Sequence, residues 1–381
     1  MSVEKGRRGG RTRWDVRWRE EGRQRTLTFD KKEDAGRFEA DVRRRLQLGA
    51  HGLVEPSREP LEGWLRRWWE RDAHAWAAST RMQRAHVIDK WVAPFIGGVR
   101  LKDLGPARIR EWRAEIIRAG CSPGQVNAAT RVLSAALGAA VPQDLPSNPC
   151  TGIGSLPVQV ARPRALTPDE IERIRGEMPS ARDALMVSLM GYAGLRPEEV
   201  VALRWRDAEG GVIVVDRAFT CGQLKGTKSG ARRTVEIVAP LAADLAGYRP
   251  HVADPDALIA PARGGGFLYW GNWRNRAWNP ACLAAGVKAA PYDLRHSFAS
   301  LLIHEGRNPL LVSAALGHAS GELVWRRYAH VFDAARLAPT VSMVAAIEQA
   351  REDLRRSGVR SECDQASIRV LRSPTLIAKN A

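Results

Sequence analysis

A small set of cationic and aromatic residues lies in four separated segments of the C-terminal half. The set consists of Arg196, Lys228, Arg295, His318 and Tyr328. There is no carboxylate cluster spaced for a metal and no Ser/His/Asp arrangement at a recognised turn. The remaining reactive group is a phenol beside positive charge, and this combination is suited to chemistry on an anion.

The first segment, GLRPEEVVALRW, surrounds Arg196. Pro197, followed by Glu198 and Glu199, predicts a helix that begins directly after the arginine. The free N–H groups of a helix N-terminus favour an anion, and a guanidinium there can donate two hydrogen bonds to a phosphate. Arg196 could instead be a surface residue that merely pairs with Glu199.

The second segment, LKGTKSGARRTVEIV, carries Lys228 in a glycine-flanked turn. The sequence predicts a hairpin, with VIVVD as the strand before the turn and RTVEIV as the strand after it. A lysine on such a turn can reach a site and act as an acid, although most turn lysines do not, and Lys225 is the alternative. A phosphate-binding loop is excluded, because Thr227 separates the glycine from the lysine.

The third segment, APYDLRHSFASLLIHEG, is predicted to be a helix capped by Asp293, with Tyr292 and Arg295 at its start. His296 is interpreted as a buried structural residue. In the fourth segment Asn308 begins a helix and Gly317 ends it, so that His318 falls at the break. Tyr328 follows ten residues later on the next helix.

Attack of a tyrosine on a phosphodiester fits these residues. A phenol has a pKa of about 10 and needs help to lose its proton. Two arginines can hold the non-bridging oxygens and offset the charge of the transition state. A lysine can protonate the leaving 5′ oxygen, and imidazole or phenol groups can donate further hydrogen bonds. Neither a metal nor another cofactor is required.

The composition agrees with a polyanionic partner. The 381 residues carry a formal net charge of +17 with a pI near 10.4, which favours nucleic acid as the partner. A basic membrane-surface protein is the alternative, but no amphipathic anchor, lipidation signal, membrane span or secretory signal is evident. Five scattered cysteines indicate a reduced, cytoplasmic protein.

The chain is predicted to be multidomain and mainly α-helical, with small β-sheets. Residues 1–55 are predicted to form a hairpin and a helix. The first fifty of them carry 15 Lys and Arg against 9 Asp and Glu, a net charge of +6. This unit is either a DNA-groove reader or a solvated basic face. A basic helical bundle (56–153), a proline-rich linker (154–166), a mixed α/β domain (167–345) and a polar tail (346–381) follow.

Together, the four segments resemble those of the tyrosine recombinases, the family of phage and mobile-element integrases. The resemblance covers nearly the whole chain. It implies catalytic Arg196 with acidic companion Glu199, hairpin Lys228, second arginine Arg295, His318, and nucleophile Tyr328 in RRYAHVF. It also implies an arm-binding, three-stranded N-terminal domain, a SAM-like core-binding domain, and a site-specific recombinase that acts through a 3′-phosphotyrosyl intermediate.

One position departs from the family pattern, because Tyr292 replaces a histidine. A tyrosine can still donate a hydrogen bond to phosphate, but it is a poor general base at neutral pH, and it is a rival nucleophile. The resemblance further implies a homotetramer on double-stranded attachment sites, with an excision factor and a DNA-bending host protein as possible partners. The alternatives are a type IB topoisomerase, a non-catalytic DNA-binding regulator and, more remotely, a metal-dependent nuclease.

Overall fold

The chain divides after Gln159 into two units, which are described here separately. The computed structural model describes residues 2–8, 11–20, 23–47, 57–158, 164–226, 232–250, 254–318, 320–337 and 340–357. No helix in these ranges is both long enough and apolar enough to cross a membrane.

The N-terminal segment forms an antiparallel sheet followed by a helix. Its strands, in the order β1-β2-β3, are β1 (Ser2–Arg8), β2 (Arg11–Glu20) and β3 (Arg23–Phe29). The β2–β3 pairing confirms the predicted hairpin, whereas the residue pattern did not predict β1 as a strand. The helix α1 (Lys32–Gln47) packs on the sheet, and buried Val16, Trp18, Ala35 and Val42 form a small core of their own.

The rest of the first unit is helical, as its periodicity predicted. The helices are α2 (Leu61–Asp72), α3 (Ala78–Val87), α4 (Ala93–Ile96), α5 (Pro106–Arg118) and α6 (Pro123–Gly138), with a π-helical turn (Ile88–Val92) joining α3 to α4. Two buried tryptophans bind the bundle together. Trp64 Nε1 donates to the carbonyl of Ala136 at 2.9 Å, and Trp112 Nε1 donates to that of Trp91 at 2.7 Å. Each indole thereby buries a large apolar surface without leaving its N–H unpaired.

The second unit begins at the predicted helix start. Thr167 Oγ1 accepts a hydrogen bond from the N–H of Glu170, and the Glu170 carboxylate accepts one from the N–H of Thr167. This capping box opens α7. The helices of the unit are α7 (Pro168–Gly176), α8 (Ala181–Tyr192), α9 (Pro197–Ala202), α10 (Ala239–Tyr248), α11 (Trp270–Trp273), α12 (Asn279–Ala284), α13 (Pro291–His304), α14 (Pro309–Leu316), α15 (Gly321–Leu337) and α16 (Met343–Arg356).

Two small antiparallel sheets accompany these helices. Their strands are β4 (Ala208–Glu209), β5 (Val212–Val215), β6 (Arg217–Thr220), β7 (Gln223–Gly226) and β8 (Arg233–Glu236). Val212 pairs with Glu236, so the predicted hairpin between VIVVD and RTVEIV is confirmed, with the β6–β7 hairpin inserted between its strands. Lys228 lies outside the described residues.

Helix α8 is the centre of this unit. Every residue from Asp183 to Tyr192 is buried, and α7, α10 and α13 pack around the helix. Because α13 also contacts α14 and α15, one buried core connects the segments that carry the candidate residues.

Helix α16 continues across residue 345 and is anchored to the same core. Ile347 is fully buried. Arg351 Nε donates to Glu172 at 2.9 Å, and its Nη2 donates to Asp244 at 2.7 Å. These charges are largely desolvated, and the guanidinium compensates each carboxylate directly. The domain boundaries drawn from the sequence stay predictions.

Candidate active site

Arg196 occupies the position immediately before α9, as predicted. Its backbone is extended (φ −72°, ψ 151°), and Pro197 begins the helix. The Glu199 carboxylate accepts hydrogen bonds from the Arg196 backbone N–H at 2.7 Å and from its Nη1 at 2.8 Å. Although burial alone lowers the pKa of Arg196, Glu199 and Tyr292 raise it overall. The guanidinium is therefore fixed and charged while it remains partly accessible.

Arg295 lies in the second turn of α13 and is only 2% exposed. Its Nη1 donates to the carbonyl of Gly194 and its Nη2 to that of Leu316. The two acceptors lie just before α9 and at the end of α14. Burial, and then the nearby Arg196, lower the pKa of Arg295 to about 10. The guanidinium thus ties two helix ends together and remains cationic at neutral pH.

The start of α13 differs in one detail from the prediction. Asp293 is not the capping residue; it is the third residue of the helix, and Ala290 occupies the cap position. The Asp293 carboxylate reaches back and accepts a hydrogen bond from the Ala290 N–H at 2.8 Å. The prediction was wrong because Pro291, rather than the first polar residue, begins the helix.

His318 lies at the predicted break. Asn308 Oδ1 accepts from the N–H groups of Leu310 and Leu311, both at 3.0 Å, and caps α14. Gly317 ends that helix in the left-handed conformation, with φ +62°. His318 Nδ1 is buried and has no hydrogen-bond partner among the described residues. An unpartnered buried nitrogen is costly unless a ligand satisfies it.

Tyr328 lies in the middle of α15 and is 2% exposed. Its Oη lies 2.5 Å from Nδ1 of His296. Burial raises the pKa of Tyr328 to about 12, and Arg327 and Arg295 partly offset this effect. The phenol is therefore protonated at neutral pH and needs a proton acceptor before it can act as a nucleophile.

Tyr292 occupies a different environment at the surface. It is 39% exposed, and its ring packs edge-on against His296 with the ring centroids 5.5 Å apart. Its phenol also raises the pKa of Arg196, first electrostatically and then by hydrogen bonding. The structure therefore brings both tyrosines to the same imidazole, with only Tyr328 within hydrogen-bonding distance of it.

Arg233, which lies on β8, was not among the predicted site residues. Its Nη1 and Nη2 donate to the two oxygens of Glu199 at 2.9 and 2.6 Å, and its Nε donates to the carbonyl of Ala315 at 3.0 Å. The alternation in RTVE, where Arg233 and Val235 are buried and their neighbours exposed, was the signal that could have revealed an inward-facing arginine.

The site is strongly electropositive. Burial lowers the pKa of His318 to about 4, and four cations contribute, in the order Arg295, Arg196, Arg327 and Arg233. Within the described ranges, no group of three or more His, Cys, Asp or Glu residues could hold a metal. Lys225 on β7 is half-buried. The arrangement is suited to binding a phosphate through arginines and to presenting a phenol beside it.

The second unit is a mixed α/β domain that holds a phenol near several arginines, an arrangement suited to chemistry on a phosphodiester. Residues 164–335 match the phage integrase family, and residues 61–117 match the N-terminal SAM-like domain of phage integrases. The tyrosine recombinase XerC 1 of Ralstonia nicotianae is 31% identical over 259 residues, which are 61% of this chain and 77% of that protein. The chain therefore belongs to the phage integrase family of tyrosine recombinases. Its activity is site-specific DNA recombination.

Further similarities are more distant. The ICEBs1 integrase of Bacillus subtilis is 23% identical over 65% of this chain and 72% of that protein. A lambda integrase dimer bound to a core site has 17% identity and a TM-score of 0.60 over 89% of this chain and 97% of that one. The Tn1549 transposon integrase has 19% identity and a TM-score of 0.59 over 72% and 98%. These structures show the fold.

Proposed function

We propose that Tyr328 is the nucleophile of this recombinase and that it forms a 3′-phosphotyrosyl link with one DNA strand. The observation that carries the proposal is the 2.5 Å contact between Tyr328 Oη and His296. Arg327 and Arg295 both lower the pKa of Tyr328 against the effect of burial, which supports a position of the phenol near cations that would hold the phosphate. The link conserves the energy of the phosphodiester, so that a 5′ hydroxyl can reverse the reaction without ATP.

The other side chains have distinct roles in this proposal. Arg196 and Arg295 hold the non-bridging oxygens and stabilise the charge that develops on them. His318 contributes a ring nitrogen that has no partner among the described residues, and the exposed hydroxyl of Tyr292 donates a further hydrogen bond. Lys228 protonates the leaving 5′ oxygen, with Lys225 as the alternative acid.

Glu199 and Arg233 support this arrangement without contacting DNA. Glu199 is 2% exposed and receives hydrogen bonds from both Arg196 and Arg233. Its negative charge keeps two neighbouring guanidiniums close together despite their mutual repulsion. The pair therefore fixes the direction in which Arg196 points before the phosphate arrives.

The buried position of Tyr328 requires a movement on DNA binding. The Tyr328 side chain is only 2% exposed, so a DNA phosphate at the protein surface cannot reach its hydroxyl. Entry of the phosphate between α13 and α15 would bring it to Oη while His296 stays beside the phenol.

DNA is the proposed partner, and the proposed reaction integrates or excises a mobile element. The net charge of +17 supports binding to a polyanion. The similar proteins include integrases of lambda, of ICEBs1 and of the Tn1549 transposon, and lambda integrase has been seen as a dimer on a core site and as a tetramer on a Holliday junction. We infer a homotetramer on paired sites. An excision factor and a DNA-bending host protein stay predictions.

The test is a covalent adduct assay. Purified protein is mixed with a plasmid that carries its own gene and flanking DNA, in EDTA, and the reaction is stopped with SDS. The proposal predicts an adduct for the wild type and for Tyr292→Phe but none for Tyr328→Phe. Loss of the adduct only in Tyr292→Phe would move the nucleophile to that residue. DNA binding without an adduct for any protein would support the regulator, and an adduct at random sequences would support a topoisomerase.

A further inference from the structure

The position where the family pattern has a histidine is occupied by Tyr292, which leaves the proton of the nucleophile without an evident acceptor. A tyrosine at that position can donate a hydrogen bond, but it does not take up a proton at neutral pH. The structure nevertheless holds an imidazole against the nucleophile, one helical turn further along α13. This group is His296, which is 7% exposed.

The contact is specific in its atoms. Nδ1 of His296, and not an edge carbon, lies 2.5 Å from Tyr328 Oη, and the ring centroids are 5.8 Å apart with the planes inclined at 57°. This distance is at the short end for hydrogen bonds that involve a hydroxyl donor. The phenol is fully protonated and can donate, so a neutral imidazole that carries its hydrogen on Nε2 accepts through Nδ1.

We propose that His296 is a catalytic residue that accepts the phenolic proton of Tyr328 during strand cleavage and returns it during rejoining. As the bond between Tyr328 Oη and phosphorus forms, the bond between phosphorus and O5′ breaks. The phenolic proton passes to Nδ1, and O5′ takes its proton from the lysine acid. In rejoining, each transfer reverses. This inference rests on Tyr328 being the nucleophile, as proposed above.

The surroundings of His296 agree with this role. The charged and titratable groups that face it are Arg295 and Tyr292 on α13, Arg327 and Tyr328 on α15, and His318 after α14. Burial, and then the neighbouring cations, lower the pKa of His296 to about 4, so the ring is neutral and its lone pair is available. An anionic phosphate bound between the arginines would offset their field and strengthen the base when it is needed.

The rival role for His296 is purely structural, in which it only holds the phenol in place. His296→Asn separates the two roles, because an asparagine Oδ1 can occupy the place of Nδ1 and accept the hydrogen bond but cannot take up the proton. His296→Ala removes both functions and leaves room for added imidazole. Ser300→Ala is the matched control, since Ser300 lies one turn away on the buried face of α13 and donates only to the carbonyl of His296, at 3.1 Å.

The experiment measures the single-turnover rate of adduct formation on the same plasmid, from pH 5 to pH 9. General base catalysis contributes about 10²–10⁴-fold, so His296→Asn should lose at least about 10²-fold while its thermal unfolding stays close to that of Ser300→Ala. Added imidazole should restore His296→Ala in proportion to the concentration of its neutral form, and sodium chloride at equal ionic strength should not.

Two results would overturn the inference. One is a His296→Asn protein that cleaves as fast as the wild type or faster, as expected if the histidine only restrains the phenol. The other is a pair of observations: added imidazole does not change the rate of His296→Ala, and His296→Asn cleaves faster than His296→Ala. Both results presuppose a wild-type adduct that Tyr328→Phe abolishes. Failure of that adduct would instead count against the proposed function.

Discussion

Arg233 and Glu199 form a two-pronged ion pair in which each guanidinium nitrogen, Nη1 and Nη2, donates to a different carboxylate oxygen, at 2.9 and 2.6 Å. Their side chains are 7% and 2% exposed. The pair joins β8 to the first turn of α9, two elements more than thirty residues apart in the chain. Because Glu199 also receives the Arg196 side chain, the orientation of the candidate phosphate-binding arginine depends on a strand that is remote in sequence.

Replacing Glu199 with glutamine should therefore destabilise the second unit and weaken catalysis together. The substitution leaves two guanidiniums without their counter-charge, and removing one partner of a buried pair typically costs about 3–5 kcal/mol. Thermal and urea unfolding would measure the loss. Glu198→Gln is the control, since Glu198 is the half-buried neighbour in the same turn. Equal stability of the two variants would contradict the role assigned to Glu199.

Arg196→Ala should abolish cleavage and leave DNA binding largely intact. Arg196 is expected to stabilise charge that develops only in the transition state, and removal of one such donor typically costs about 10²–10³-fold in rate. Adduct formation and gel shifts on the same DNA would report the two quantities separately. Arg204→Ala, which removes a contact to Asp256, should keep both. A binding defect as severe as the cleavage defect would contradict the role proposed for Arg196 in the transition state.

Gly194→Ala should unfold the site, whereas Gly210→Ala should be mild. Both glycines have left-handed backbone, with φ +63° and +62°, so they share the conformational cost of a side chain. Only at Gly194 would the new Cβ overlap a neighbour, lying 2.7 Å from Cε1 of Phe298 and closer still to its Cδ1. Overpacking typically adds about 1–3 kcal/mol. The difference between the unfolding midpoints of Gly194→Ala and Gly210→Ala measures the cost of the steric overlap alone. Similar midpoints would contradict the close contact with Phe298.

Acidification should weaken folding through His296, which is buried, and His318, which is half-buried. The pKa values of His296 and His318 are each lowered to about 4, first by burial, from an ordinary value of 6.5. Below pH 6.5 the unfolded chain takes up protons that the folded chain refuses, so stability falls as the pH drops from about 6.5 toward 4. A difference of one pKa unit is worth about 1.4 kcal/mol, which gives at most about 3 kcal/mol for each histidine.

Measuring the free energy of unfolding between pH 7 and pH 4.5 would check this expectation. His318→Asn should have a flatter profile than the wild type across that window. Exposed His86→Asn is the control variant and should retain the wild-type slope. A His318→Asn profile parallel to that of the wild type would show that the imidazole is protonated equally in the folded and unfolded chain.

Local chemistry predicted the ends of several elements but not the contacts between them. Thr167, Asn308 and Gly317 mark helix ends because caps and left-handed glycines depend on a few neighbouring residues. The strand β1 was missed because VEKGRR has no alternation of apolar residues, and its pairing with β2 holds it in the sheet.

The same limit applies to the site. Arg233 was overlooked because its importance depends on Glu199, which only the folded chain brings within reach. His296 was interpreted as structural because one histidine in an apolar helix carries no sign of its partner. The structure confirms that it is buried and supplies the partner, Tyr328. The residue types therefore indicated the reaction, whereas the hydrogen bonds and ion pairs among those residues could be identified only from the fold.

The hydrogen bonds from Arg295 to the carbonyls of Gly194 and Leu316 have an evolutionary consequence. A copy of this gene released from selection for strand cleavage, but still needed to occupy its DNA site, could lose the Tyr328 hydroxyl without creating a cavity. It could not lose Arg295 so easily, since the same guanidinium closes the backbone at Gly194 and Leu316. With Tyr328 as the proposed nucleophile, inactive descendants that survive as repressors would be expected to carry phenylalanine at position 328 and to retain Arg295 for its backbone contacts.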